Sequence, residues 1–387
     1  MVKNNINAIT ENEFAHWLFN VPGIGNKSID KLLCGGMTCK EIYEASEGEL
    51  KEFITSKMIN NLMKSKRVWD FEKEKEKLKS KEIEFISRID ERFPDKLKNI
   101  PDAPFAIYYK GKLPDPFRPS VAIVGARFCS DYGRFMARSF GRGLALSGVQ
   151  IISGMARGID GVSQNAAIAA GGSSFGVVGS GADICYPEEN IELYDNLCSL
   201  GGVISEYPPG TMPKACFFPM RNRIISGLAD IVLVIEAREK SGTQITVDTA
   251  LEQGKEVLAV PGRVTDRLSD GCNMLISQGA GVALHVEDVL ERLDRFTFKQ
   301  VSQINETAKN QKCEEKKHIS GGCAEKTELK NVILETLDVF PVNISQILES
   351  LNSKDINLGV SELMGYLMDM ICSGTVVQDG AYYRKRS

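Results

Sequence analysis

Val121-Ala-Ile-Val-Gly-Ala-Arg127 decides the fold. A short, continuous apolar run that stops at a glycine reads as a strand buried on both faces. The residues after it, Tyr132 to Ser147, carry a helical period. The same figure recurs down the chain. Val149–Ile152 precedes a helix from Asp160 to Ala170, Phe175–Val178 one from Glu188 to Leu200, and Val203–Ser205 one from Arg221 to Leu228. Ile231–Ile235 leads to Thr243–Gln253, Glu256–Val260 to Cys272–Ser277, and Val282–His285 to Val286–Leu293. Short apolar strands alternating with helices predict a parallel sheet covered on both faces, an α/β, Rossmann-like doubly wound fold.

Glycine marks where this region begins and ends. Residues 1–100 hold 5 glycines, 101–296 hold 24 and 297–387 hold 6, so the tight turns of βα units are confined to the middle. Residues 1–82 read as a helical N-terminal domain, with amphipathic stretches at Glu11–Leu18, Ile29–Leu33, Cys39–Glu44 and Ile59 to about Ser80. Ile83–Ile89 and Phe105–Tyr109 read as strands, which opens the Rossmann-like domain at 83–296. Residues 297–326 are too polar to bury a core and read as a linker. Residues 327–387 read as a winged-helix domain: helices Leu329–Leu337, Ile344–Leu351 and Val360–Cys372, then a hairpin Thr375–Tyr383 turning at Asp379-Gly380.

Bulk composition excludes more than it identifies. With 47 Lys+Arg against 51 Asp+Glu the chain is no polycation. The longest uncharged run, Gly161–Ala182, holds six glycines and is far from apolar enough to span a membrane. The N-terminus has no apolar signal core, and the ten cysteines form no C-x-x-C pair. A cytoplasmic protein with free thiols, no metal and no cofactor is expected.

Ligands of a doubly wound sheet sit at the carboxyl ends of its strands. Here those ends carry Gly125-Ala126-Arg127, then Ser153-Gly154-Met155-Ala156-Arg157-Gly158, then Gly179-Ser180-Gly181. Arg221-Asn222-Arg223 lies ahead of the fifth strand of the series, and Ser241-Gly242-Thr243 opens a helix after it. Turn and helix-start N–H groups bind anions, and arginine adds bidentate contacts to phosphate. From Arg127 to Arg157 there are five arginines and one acidic residue, Asp131. One turn of this kind is as readily a plain tight turn. Five converging on one edge predict a phosphate-binding surface.

Motifs of catalysis are missing. There is no G-x-x-x-x-G-K-[ST], and no G-x-G-x-x-G follows the first strand. Gly172-Ser173-Ser174-Phe175-Gly176 matches G-x-S-x-G but precedes a strand instead of leaving one. The histidines are His16, His285 and His318, none in a loop after the first five strands, and they are assigned packing or surface roles. A binding surface without a nucleophile or base is expected rather than an enzyme.

Val121–Arg127, Ile151-Ile-Ser-Gly-Met-Ala-Arg-Gly-Ile-Asp160 and Phe218-Pro-Met-Arg-Asn-Arg-Ile-Ile-Ser-Gly227 together resemble the bacterial DNA-processing protein A (DprA/Smf) family. So do Val234-Ile-Glu-Ala237 with Ser241-Gly-Thr243, and Pro261-Gly262 followed by Gly271–Ile276, all in family order. The resemblance implies a non-catalytic protein that binds single-stranded DNA, protects incoming strands in natural transformation and loads the RecA recombinase, acting as a homodimer. It places Arg127, Ser153, Gly154 and Arg157 along the DNA pocket, to which the strand-end reading adds Gly125, Ala126, Gly158, Gly179 and Gly181. Arg221, Asn222, Arg223, Ser241, Gly242 and Thr243 complete it. Three positions depart from the family pattern: Ala126 stands for serine, Gln164 for histidine and Glu188 for a basic residue.

The alternative is a phosphoribohydrolase-like enzyme on a related sheet, whose signature needs a glutamate three residues after Thr243; Thr246 stands there. Val21-Pro-Gly-Ile-Gly25 resembles a helix-hairpin-helix turn and is equally a plain hairpin. Residues 327–387 carry 5 basic against 8 acidic groups, which favours protein over duplex DNA as their partner.

Overall fold

The sequence's apolar runs assemble into one nine-stranded sheet, ordered β1-β2-β6-β5-β4-β3-β7-β8-β9 in the computed structural model. The structure describes residues 9–293 continuously and, beyond them, 342–343, 347, 351, 363, 366–367, 370–371, 375–379 and 382–385. The strands are β1 (Ile83–Ser87), β2 (Ala106–Gly111), β3 (Ser120–Val124), β4 (Gln150–Ser153), β5 (Ser174–Gly181), β6 (Gly202–Tyr207), β7 (Ile231–Val234), β8 (Glu256–Ala259) and β9 (Gly281–Val282).

From β6 to β9 every pairing is parallel. Neighbouring residues of one strand feed opposite cores, as the lack of alternation in the sequence requires. Ala122 and Val124 of β3 pack with Val232 and Val234 of β7, under α11 (Phe217–Leu228), α12 (Gly242–Glu252) and α13 (Asp270–Ser277). Val121 and Ile123 face the other way, under α8 (Asp131–Leu146), α9 (Ile159–Ala169) and helical residues 286–293. The chain builds outward from β3 to β6, then returns to lay β7 beside β3. That reversal is the topological switch point, where a crevice opens beyond the strand ends.

β1 and β2 extend the same sheet as an antiparallel edge, β1 on β2 and β2 on β6. One expectation needs correction: the helical stretch from Ile59 to Ser80 is two helices, α5 (Ser56–Val68) and α6 (Phe71–Ser80). Trp69 is extended between them, and the Asp70 side chain caps α6 by accepting from the Lys73 N–H. An aspartate that satisfies a helix's first orphan donors starts a new helix even where the charge pattern runs on.

The remaining helices of this region are α1 (Glu11–Phe19), α2 (Asn26–Cys34), α3 (Cys39–Glu44), α4 (Glu47–Leu50), α7 (Asp95–Lys98) and α10 (Ile191–Leu200). Helices α1 to α6 share an aromatic-rich core with β1 and β2, in which Phe14, Trp17, Phe71, Phe85, Phe105 and Tyr108 are buried. In the hairpin between α1 and α2, Val21 and Ile24 are buried and Asn61 donates to the Pro22 carbonyl. Asn26, the first residue of α2, donates to Glu206 on β6.

The chain forms two compact units, one within residues 1–304 and one within 305–387. In the second, Val342–Asn343, Val376–Asp379 and Tyr382–Lys385 (β10, β11, β12) form an antiparallel sheet in the order β10-β12-β11. Asp379 pairs with Tyr382, the register of a two-residue hairpin loop. Ile347, Leu351, Leu363 and Leu367 are buried. The linker at 297–326, the helix at 329–337 and Cys313, His318 and Cys323 lie outside the described residues. Among the described residues no helix is long and apolar enough to cross a membrane.

Candidate functional site

A cleft of about 710 Å³ opens at the switch point. The β3–α8 loop supplies Gly125, Ala126, Arg127 and Phe128, and α11 supplies Phe218, Arg221 and Asn222. The start of α12 supplies Ser241, Gly242 and Thr243. Arg238, Tyr186 and Asp160 complete the part that carries chemistry.

The β3–α8 loop is held by one carboxylate. Glu236, 1% exposed, accepts from the Ser130 N–H at 2.8 Å and the Ser130 hydroxyl at 2.5 Å. Its main-chain oxygen accepts from the Ala126 N–H at 2.7 Å. A Cβ on Gly133 would stand 2.5 Å from the Glu236 carboxylate, so the first turn of α8 needs glycine there. Clamped at both ends, the loop presents Arg127 and Phe128 to solvent. The Arg127 guanidinium lies 5.6 Å over the Phe218 ring, and the Tyr186 ring is tilted 33° to that of Phe218 with centroids 5.6 Å apart. Neither Arg127 nor Arg238 has an ion-pair partner among the described residues.

The floor is built differently. Helix α11 begins at Phe217, four residues before its expected start, because Pro219 lies in the first turn where no N–H partner is required. Arg221 therefore sits a full turn inside the helix, 5% exposed. Its guanidinium donates to the Gly154 carbonyl at 2.8 Å and to the Val177 carbonyl, tying α11 to the end of β4 and the middle of β5. Asp160 accepts from the Gly154 N–H at 3.1 Å on the other side of the same glycine. Burial drives both groups toward neutrality: it lowers Arg221 to about 10 against the pull of Asp160, and raises Asp160 against the pull of Arg221. A Cβ on Gly154 would stand 2.7 Å from both side chains, so only glycine fits between them.

Several residues expected at the pocket are placed elsewhere. Arg223 is buried and paired with Glu206 at 2.7 Å, and it does not line the cleft. The Ser153 hydroxyl is buried and donates to the Ile123 carbonyl. Gly158 has φ +74°, and a Cβ there would meet the Ala126 and Arg127 carbonyls at 2.2 and 2.5 Å. That glycine lets the β4–α9 loop close on the β3–α8 loop, and the Ile159 N–H is taken by the Ala126 carbonyl at 3.2 Å. Gly179 and Gly181 belong to β5, which runs three residues past its expected end at Val178; Gly179 backs onto the Phe218 ring, and the Gly181 N–H donates to the Thr211 carbonyl. Arg157 is exposed and paired with Glu189 at 2.6 Å.

The departures from the family pattern also find places. Gln164 is buried, accepts from the Met155 N–H and donates to Ser174 and the Phe175 carbonyl. Glu188 is exposed at the start of the short turn that carries Glu189. Thr246, where a hydrolase would need its glutamate, is buried in the cleft wall.

Sequence reasoning missed Glu236, Arg238, Phe128 and Tyr186. Glu236 had a signal: an acidic residue directly after a buried strand needs several donors nearby. The other three sit in loops with no periodicity to read.

The family model described as DNA recombination-mediator protein A matches residues 84–294. The chain is similar to the DNA processing protein DprA of Streptococcus pneumoniae, 42% identical over 209 residues, 54% of this chain and 74% of that protein. It is similar to Protein Smf of Synechocystis sp., 33% identical over 294 residues, 74% of each. The X-ray structure of Streptococcus pneumoniae DprA superposes with a TM-score of 0.65 at 35% identity, covering 73% of this chain and 98% of that one.

Proposed function

The chain belongs to the DNA recombination-mediator protein A family, and on that premise we propose that the switch-point cleft holds single-stranded DNA without cleaving it. One observation carries the reading: the exposed Arg127 guanidinium lies over the Phe218 ring, opposite the N-terminus of α12. Cations and helix-start N–H groups hold phosphate, and an aromatic group offers a face for a base. A single strand presents both; a duplex hides its bases. Among the cleft-lining residues there is no histidine, and the single carboxyl group, Asp160, is buried and bonded to Gly154. That set supports a binding surface rather than a general acid–base site.

We read this binding as serving protection of incoming DNA and RecA loading during natural transformation and recombination, with RecA and a second copy of the chain as protein partners, in the cytoplasm. We assign residues 1–82 to a helical domain, 83–296 to the Rossmann-like DNA-binding domain, 297–326 to a linker and 327–387 to a winged-helix domain. Their excess of acidic groups makes residues 327–387 a protein-binding module.

A mobility shift across salt tests the reading. Single-stranded DNA is expected to bind with a log–log salt slope of about 0.7 per phosphate held, duplex more weakly, and Arg127→Ala to lower both affinity and slope. Equal affinity for single strand and duplex, with indifference to Arg127→Ala, would overturn it.

A further inference from the structure

Three arginines next to the cleft are not absorbed by it. Arg134, Arg138 and Arg142 lie on α8, all exposed, and none forms an ion pair among the described residues. Their i, i+4, i+8 spacing sets them about 6 Å apart along one ridge of the helix. That step is comparable with the distance between successive phosphates of a stretched single strand.

The surroundings match the spacing. Asp131 is the one acidic residue of α8, and the one acidic residue of the adjoining α9, Asp160, is buried. Phe135 stands among the arginines at 67% exposure. Phe128, 77% exposed and lining the cleft, stands on the lip that leads to α8. A solvated arginine face usually carries interspersed carboxylates, which offset its field. On α8 and α9 this face carries almost none, the nearest others being Glu287, Asp288 and Glu291 on the helical residues 286–293 that pack on α8 at Gly143, and it adds apolar rings that gain nothing from water.

We infer that α8 is a second track for the strand: DNA leaving the cleft crosses the lip at Phe128 and runs along Arg134, Arg138 and Arg142, with bases resting on Phe135. The inference rests on the cleft reading above and extends its footprint. The track adds phosphates to the site in register, so it acts on long strands and not on short ones.

The test compares oligothymidylates of about 6 and about 20 nucleotides, the shorter filling the cleft alone. A full-length variant combining Arg134→Ala, Arg138→Ala and Arg142→Ala is expected to bind the short strand as the parent does. On the long strand its salt slope should fall by about 2, or about hundredfold weaker binding near 0.1 M salt that converges toward 1 M. The corresponding triple lysine variant should restore the slope, and circular dichroism should report an unchanged fold in both. An unchanged long-strand slope, while Arg127→Ala still weakens both lengths, overturns the track and leaves the cleft standing. Indifference of both lengths to Arg127→Ala overturns the cleft and the track with it. Loss of polyglutamate binding by the triple alanine variant, with no effect on either oligonucleotide, overturns the track by assigning the row to an acidic protein surface.

Discussion

The floor and the lip of the cleft are both lined by arginine, and the two use it in opposite ways. On the floor, Arg221 donates to backbone carbonyls at the end of β4 and within β5 and shares a glycine with Asp160. Two residues further along the helix, Arg223 is consumed by Glu206. On the lip, Arg127 and Arg238 stand in solvent, one of them over an aromatic ring. Buried arginines whose donors all face protein fix geometry, whereas exposed ones keep their charge for a ligand. The same residue type, a few ångströms apart, serves as a bolt in one place and a contact in the other.

The largest expected effect separates these roles. Arg221→Ala leaves two carbonyls unpaired and Asp160 without its compensating charge. It should cost about 3–5 kcal/mol of unfolding free energy, as loss of one partner of a buried charge pair does. Urea denaturation of Arg221→Ala beside Arg127→Ala checks this; Arg127→Ala should stay within about 0.5 kcal/mol of the parent. If Arg221→Ala were as stable as the parent and merely bound DNA poorly, the distinction between bolt and contact would be gone.

A smaller effect comes from the helical end, where pH acts without touching either set of arginines. His16 packs among Trp69, Phe85 and Tyr108, and burial depresses its pKa to about 4. The unfolded chain takes up this proton first as pH falls. Stability from His16 is therefore complete above about pH 6.5 and lost on the way down to about pH 4, by at most about 3 kcal/mol. Thermal melts of the parent against His16→Phe should diverge below pH 6.5 and coincide at neutral pH. His16 belongs to the helical core and does not line the cleft, so DNA affinity of the folded fraction should not follow the melt.

The smallest effect sharpens the lip itself. Arg157 is exposed but engaged by Glu189, which places it between the two classes. Glu189→Gln removes the competing carboxylate and should raise the salt slope for single-stranded DNA by up to about 0.7. A slope that does not move would mean Arg157 lies off the strand's path, and would narrow the lip to Arg127, Arg238 and α8.

Much of this was legible in the residues because the signals are local. A run such as Val121–Val124 can be buried on both faces in few other ways, and its repetition dictated the parallel sheet and the edge where a ligand sits. Glycines at Gly125, Gly154 and Gly158 marked the loops, and the arginine-rich stretch after β3 marked the sign of the charge. The edge strands β1 and β2 were legible as strands of the same domain, but their antiparallel pairing was not, since pairing is a contact over a long stretch of chain. The start of α11 was misplaced because proline reads as a breaker, while in a first turn it costs nothing.

What the sequence determined by itself, then, is the Rossmann-like sheet, the family and the end of the sheet where the cleft opens, all of which follow from periodicity and short motifs. What only the tertiary structure decided is which arginines remain available. Arg127, Arg221 and Arg223 look alike in a motif. Availability depends on whether Gly154, Val177 or Glu206 comes within hydrogen-bond reach, and those partners are brought close by packing between strands and helices distant in sequence.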